Sequence, residues 1–163
     1  MNIIISGAKH SGKTTVAEKL VDRLKKTSIP VGGILCIEDK IRDVATGETQ
    51  IFLYENEIPD SQRIGSHYVK NSALGFAEKN IRQAISSGAY AIIDEYGKLE
   101  LRGEGLHNIT GECLGSNKCI VLVRDINVEP FLERFKKYYF KVFNLSEENR
   151  AKLHAEIFAY IFG

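Results

Sequence analysis

Cysteine is scarce: Cys36, Cys113 and Cys119 are the only three in 163 residues, an odd number with no C-x-x-C spacing. That argues against a disulfide framework and against dithiol redox chemistry, and leaves small buried hydrophobes in a reducing, cytoplasmic setting as the expected role. Charge of one sign is also lacking. With 22 basic and 21 acidic residues the net charge is +1, so no broad field recruits nucleic acid or an anionic membrane. No apolar run approaches the roughly 18 residues of a membrane span, and Met1 is not followed by a basic segment and a long apolar stretch, so neither span nor leader is expected. His67, His107 and His154 lack metal-ligand spacing, which weighs against zinc. No repeat, low-complexity tract or linker divides the chain. At 44% apolar content it has enough material for one core, so a single domain over residues 1–163 is expected.

The strongest signal lies in the first fifteen residues. Gly7-Ala-Lys-His-Ser-Gly-Lys-Thr14 matches G-x-x-x-x-G-K-[ST]. It is preceded by the β-branched run Ile3 to Ile5 and followed by Val16, Ala17, Leu20, Val21 and Leu24 at helical spacing, the strand-loop-helix context that this motif requires. Glycines at the two ends let the backbone curl so that amide N–H groups and the positive helix end face an anion. The expected phosphate contacts are therefore Gly7, Ala8, Lys9, His10, Ser11, Gly12, Lys13, Thr14 and Thr15. Lys13 reaches the β- and γ-phosphates, the Thr14 hydroxyl meets Mg²⁺, and Thr15 lies near the α-phosphate.

Further along, strand and helix patterns alternate. A first helix is expected over Lys13–Lys26, then strands at Val31–Ile37 and Ile51–Tyr54 with a turn at Thr46-Gly47, an antiparallel excursion from an otherwise parallel sheet. Arg63–Val69 reads either as a short strand or as a loop centred on Gly65. Asn71 or Ser72 is the expected cap of a helix with Leu74, Ala77, Ile81 and Ile85 inward, ending at Gly88. Strands at Tyr90–Ile93, Lys118–Arg124 and Lys141–Phe143 follow, separated by a weak helical signal over Gly103–Gly115 and a short helix near Pro130. A last helix is expected from Glu147 to about Phe162, capped by Ser146, with Leu153, Ile157, Tyr160 and Ile161 inward. The pattern implies an α/β architecture, a mainly parallel sheet with helices on both faces, whose ligands bind at the carboxyl ends of the strands.

One such end carries Asp94-Glu95, after the apolar Ala91-Ile-Ile93, in the form of a Walker B segment. Adjacent carboxylates at a buried strand end are costly unless a cation meets them. Asp94 is then the metal residue, and Glu95 orients and deprotonates an attacking water. Read without the loop, the pair is equally an acidic turn in solvent.

The string Ile93-Asp-Glu-Tyr-Gly-Lys-Leu-Glu-Leu101 resembles the D-E-x-G-x-x-E-L signature of the THEP1-type nucleoside triphosphatases, a P-loop family. The phosphate loop, Pro30-Val-Gly-Gly33 and Val142-Phe-Asn-Leu-Ser-Glu-Glu-Asn-Arg150 are similar to the same family, so the resemblance spans the chain. It implies a three-layer, Rossmann-like P-loop fold. It also implies Mg²⁺-dependent hydrolysis of ATP, GTP and other nucleoside triphosphates, with broad base tolerance and slow turnover. A second nucleotide-contacting stretch over Ile92, Ile93, Asp94, Glu95, Tyr96, Gly97, Lys98 and Leu99 is implied as well. The chain departs from the family pattern between Glu38 and Glu57, where a role for Arg42 does not carry over.

Lesser candidates stay open: Lys98 and Glu100 as polar lining or as an exposed ion pair, Arg150 as a charge clamp or a solvated arginine, and His10 as a solvent-facing loop residue. Tyr138-Tyr139-Phe140 reads as core or as a partner surface. Two other functions share the loop, a small-molecule or nucleoside kinase and a nucleotide-gated binding module. The protein partner, if any, is unspecified by the sequence.

Overall fold

The computed structural model describes residues 1–163, and its frame is a seven-stranded sheet in the order β10-β1-β9-β8-β2-β3-β4. Its parallel part comprises β10 (Phe140–Asn144), β1 (Asn2–Gly7), β9 (Cys119–Arg124), β8 (Tyr90–Tyr96) and β2 (Val31–Ile37). The uninterrupted apolar runs of the inner strands follow from having both faces covered. Successive side chains point to opposite sides, so Ile3, Ile5, Ile92, Ile120 and Leu122 join one buried cluster and Ile4, Ile93, Val121 and Val123 the other.

The first cluster is closed by α1 (Lys13–Lys26) and α6 (Leu153–Phe162). Val16, Leu20 and Leu24 of α1 lie at 3–4-residue spacing and are all but inaccessible, each such side chain stabilising the fold by roughly 1.5–3 kcal/mol relative to exposure. The second cluster is closed by α2 (Asn71–Ser86), α4 (His107–Gly115) and α5 (Val128–Arg134). Beyond β2 the chain turns back antiparallel through β3 (Lys40–Asp43) and β4 (Thr49–Ile51), the Gly47 backbone at φ 81° making the turn. No helix is long and apolar enough to cross a membrane.

Several boundaries differ from expectation. The strand expected at Ile51–Tyr54 divides at Phe52, because β5 (Leu53–Tyr54) leaves the main sheet for a small antiparallel one, β5-β7-β6. Arg63–Val69 is a hairpin, β6 (Ser61–Ile64) and β7 (His67–Lys70), with Gly65 at φ 60° in the turn, so both readings of that stretch hold in part. Neither Asn71 nor Ser72 caps α2. Asn71 is its first residue, and its side chain donates instead to Asp60 Oδ1 at 3.1 Å. The last helix begins at Leu153 rather than Glu147, since Asn149 Oδ1 accepts the Ser146 N–H at 2.8 Å while its Nδ2 donates to Asn144 O, holding the preceding residues in turns. Of that helix's expected inner face, Leu153 and Ile157 are buried, whereas Tyr160 is 39% exposed. A short α3 (Lys98–Leu101) follows β8 and corresponds to no expected element. Cys113 and Cys119 are buried as expected; Cys36 is only half-buried.

Candidate active site

The loop joining β1 to α1 curls back on itself through two left-handed residues, His10 at φ 58° and Gly12 at φ 98°. Lys13 folds over it, its Nζ donating to Gly7 O at 3.0 Å and Ala8 O at 2.8 Å. Burial pulls the Lys13 pKa down, against the opposing pull of Glu95 and Asp94. Thr14, one residue later on the first turn of α1, donates to Asp94 Oδ2 at 2.9 Å, and the Cys36 N–H donates to the same oxygen at 2.9 Å. Two hydrogen bonds thus fix a carboxyl group that is 4% exposed. Burial pushes its pKa from 3.8 up to about 7, outweighing the Cys36 and Thr14 hydrogen bonds and the Lys13 charge that favour the ionised form.

Glu95 owes its position to an irregularity in β8. The pairing of β8 with β9 slips between Ile93 and Tyr96, and Glu95 takes φ 67°, uncommon for a residue with a side chain. Regular alternation would have sent one of the two adjacent carboxylates away from the loop. With the bulge, both Asp94 and Glu95 line one cleft, Asp94 buried and Glu95 exposed.

The bulge is buttressed from below. The Tyr96 ring packs edge-on against Phe131 at 4.8 Å between centroids, and its hydroxyl donates to Glu100 O at 3.1 Å, with His107 Nδ1 2.8 Å away. Burial pushes the Tyr96 phenol up to about 12. The Glu100 carboxylate accepts the Gly97 N–H at 3.0 Å and the Leu106 N–H at 3.3 Å. Glu100 is therefore a buried strut, and Lys98 is exposed and apart from it; neither the polar lining nor the surface ion pair foreseen for them exists.

The cleft has a volume of about 520 Å³ and runs between the loop, Lys9 to Thr15, and the Asp94-Glu95 pair. From the implied stretch Ile92 to Leu99, only that pair lines it. Ile92 and Ile93 lie fully buried in the two opposite cores by strand alternation, Tyr96 is 1% exposed beyond the bulge, and Gly97, Lys98 and Leu99, past the strand's end at the start of α3, fall outside the lining. Gly7 is buried beneath the loop, where its carbonyl and that of Ala8 hold Lys13. His10 is exposed at the loop's turn. Arg42 pairs with Glu18 at 2.7 Å on the wall of a neighbouring cavity of about 370 Å³. Arg150 passes over the loop, its Cδ 3.8 Å from where a Cβ on Gly12 would sit. Tyr138 and Phe140 pack against the core, while Tyr139 is 84% exposed.

Lining residues with no local motif went unforeseen: Glu18, Cys36, Ile37, Glu38 and Arg124. For Arg124 a signal existed. It ends the clearest interior strand of the chain, at the same carboxyl edge as the two motifs.

A family model described as NTPase matches residues 2–158. The chain belongs to this NTPase family. Among curated relatives, the nucleoside-triphosphatase THEP1 of Thermotoga maritima is 26% identical over 170 residues, an alignment covering 99% of this chain and 95% of that protein. Two solved structures share the fold of this NTPase-family chain. THEP1 from the hyperthermophile Aquifex aeolicus superposes with a TM-score of 0.73 at 24% identity, covering 98% of both chains. A human cancer-related nucleoside triphosphatase gives 0.74 at 24% identity, covering 98% of this chain and 96% of that one.

The oxygen donors of the site suit a hard cation. Thr14 Oγ1 and the Asp94 carboxylate converge, while no group of three or more His, Cys, Asp or Glu side chains forms a closed metal cage. That composition fits Mg²⁺, which keeps waters and takes the rest of its shell from phosphate oxygens.

Proposed function

We propose that this NTPase-family protein hydrolyses the terminal phosphoanhydride of nucleoside triphosphates, ATP and GTP among them, to diphosphate and phosphate in a Mg²⁺-dependent reaction. The observation that carries the proposal is the convergence of Lys13, Thr14, Asp94 and Glu95, from two segments some 80 residues apart, on one cleft. Loop N–H groups between Gly7 and Thr15 receive the polyphosphate. Lys13 exchanges its two carbonyl acceptors for β- and γ-phosphate oxygens. Glu95, exposed on the cleft wall, orients a water molecule and takes its proton as the oxygen attacks phosphorus. Thr14 and Asp94 would hold Mg²⁺, which when bound neutralises charge on the β- and γ-oxygens.

Binding concentrated on phosphate makes the enzyme tolerant of the base. Because Glu95 is open to solvent, the attacking water is not sealed from bulk, and turnover is slow. One catalytic unit over residues 1–163, in the reducing cytoplasm that free cysteines suit, completes the reading.

The test is phosphate release by the purified protein with Mg²⁺ and no acceptor, which separates a hydrolase from a kinase. Glu95→Gln should lower kcat by roughly 10²- to 10⁴-fold while nucleotide affinity changes little. Undiminished turnover in that variant would remove Glu95 from the mechanism.

A further inference from the structure

Four buried side-chain nitrogen or oxygen atoms in the molecule have no hydrogen-bond partner: Ser11 Oγ, Asn80 Nδ2, Arg124 Nε and His154 Nδ1. Two of the four, Ser11 and Arg124, belong to residues lining the same cleft. Buried donors are almost always satisfied within a native fold, so two orphans on residues that line one cleft mark a place where an acceptor is brought by a ligand.

Arg124 is the more informative of the two. It is the last residue of β9, and the strand register sets it beside Gly7, where the phosphate loop begins. The other neighbour of β9 is β8, which carries Asp94 and Glu95. Arg124 is therefore rooted between the loop and the acidic pair, and it lines the cleft they share. Arg42, Arg82 and Arg102 each pair with a glutamate, but no carboxylate comes within 4.0 Å of Arg124. Its charge also bears unfavourably on Lys13. Two cations left facing one cavity are relieved by an anion that meets both.

We propose that Arg124 is a catalytic residue supplied in cis: its guanidinium binds the terminal phosphoryl group and stabilises the charge on its equatorial oxygens as hydrolysis proceeds. In that step the bond from phosphorus to the bridging oxygen breaks and the electron pair leaves with the diphosphate. The bond from the water oxygen to phosphorus forms, and the water proton passes to Glu95; Arg124 gains and loses no proton. A planar fork of donors suits a planar phosphoryl group in a way that a lysine ammonium does not.

The inference rests on the hydrolase reading above, and the experiment keeps the two apart. Phosphate release is measured for the parent, Arg124→Lys and Arg124→Gln, alongside the affinity of each for MgADP alone and for MgADP with aluminium fluoride, which mimics the phosphoryl group in flight. Melting curves confirm that the variants fold, and Arg124→Lys preserves the charge if Arg124→Gln does not fold. In both variants kcat should fall by roughly 10³-fold or more. MgADP affinity should stay within about threefold, while the extra affinity gained from aluminium fluoride is lost. Turnover within about threefold of the parent, or equal loss of affinity with and without fluoride, overturns the role of Arg124 and leaves the hydrolase standing. A parent that releases no phosphate brings down both.

Discussion

Replacing Asp94 by asparagine should make the metal-free, nucleotide-free protein more stable while abolishing its proposed activity. Both hydrogen bonds to the Asp94 carboxyl, from Cys36 N and Thr14 Oγ1, land on one oxygen, so an asparagine carbonyl in that place keeps both. What the substitution removes is an ionisable group whose folded-state pKa lies at about 7 against an ordinary 3.8. A carboxyl raised in this way favours the folded state fully only below pH 3.8. That contribution is lost progressively as pH rises, until the folded carboxyl also ionises near pH 7, and it is flat beyond. The gap is roughly three pH units at about 1.4 kcal/mol each, so the parent forfeits about 4 kcal/mol across this window and the variant none. Urea unfolding in the presence of a chelator reads the difference. Asp94→Asn should gain about 2 kcal/mol at pH 5 and about 4 kcal/mol at pH 8, a midpoint displacement on the order of 1–2 M urea at the higher pH. A gain that does not grow between those pH values, or a variant less stable at pH 8, would refute the reasoning.

Gly33→Ala should be far more damaging than Gly47→Ala, although both glycines have positive φ. A Cβ on Gly33 would lie 2.2 Å from Ile92 O and 2.5 Å from Ile92 N, backbone atoms of the neighbouring strand, whereas Gly47 has nothing within 4 Å. Thermal unfolding should show about 1 kcal/mol lost at Gly47 and at least ~3 kcal/mol at Gly33, and equal losses would remove the steric account. Glu100→Gln should cost about 2 kcal/mol in urea unfolding, since a single amide oxygen cannot accept both the Gly97 and Leu106 N–H groups now shared between two carboxylate oxygens. An unchanged midpoint would deny Glu100 its role as a strut.

The sequence was most legible where the determinants are local. The phosphate loop, the bounds of α1 at Lys13 and Lys26, and β2 at Val31–Ile37 follow from patterns within a few residues, and all three occur as expected. The edges of the fold were less legible. The small sheet is made of strands two to four residues long, too short for alternation to register, and the start of α6 depends on one asparagine side chain competing for the backbone. Asp94 and Glu95, which line the cleft, were legible because they are adjacent in a motif. Tyr96 and Leu99 lie buried outside the cleft lining, and a motif marks what a segment needs in order to fold as well as what it touches: Tyr96 and Glu100 support the bulge from beneath. Arg124 stands at the end of a legible strand, but its neighbours are set by strand pairing over more than a hundred residues, which no local pattern records.

The strand carrying Arg124 lies between the one that begins the phosphate loop and the one that ends in the acidic pair. Neighbouring strands stand about 4.8 Å apart, so the two motifs are rooted ~10 Å from each other. Peptide hydrogen bonding, common to every residue type but proline, acts as the ruler. Mutation can change which atoms occupy that interval, and hence which reaction runs there, but its width is inherited from the geometry of the polypeptide itself.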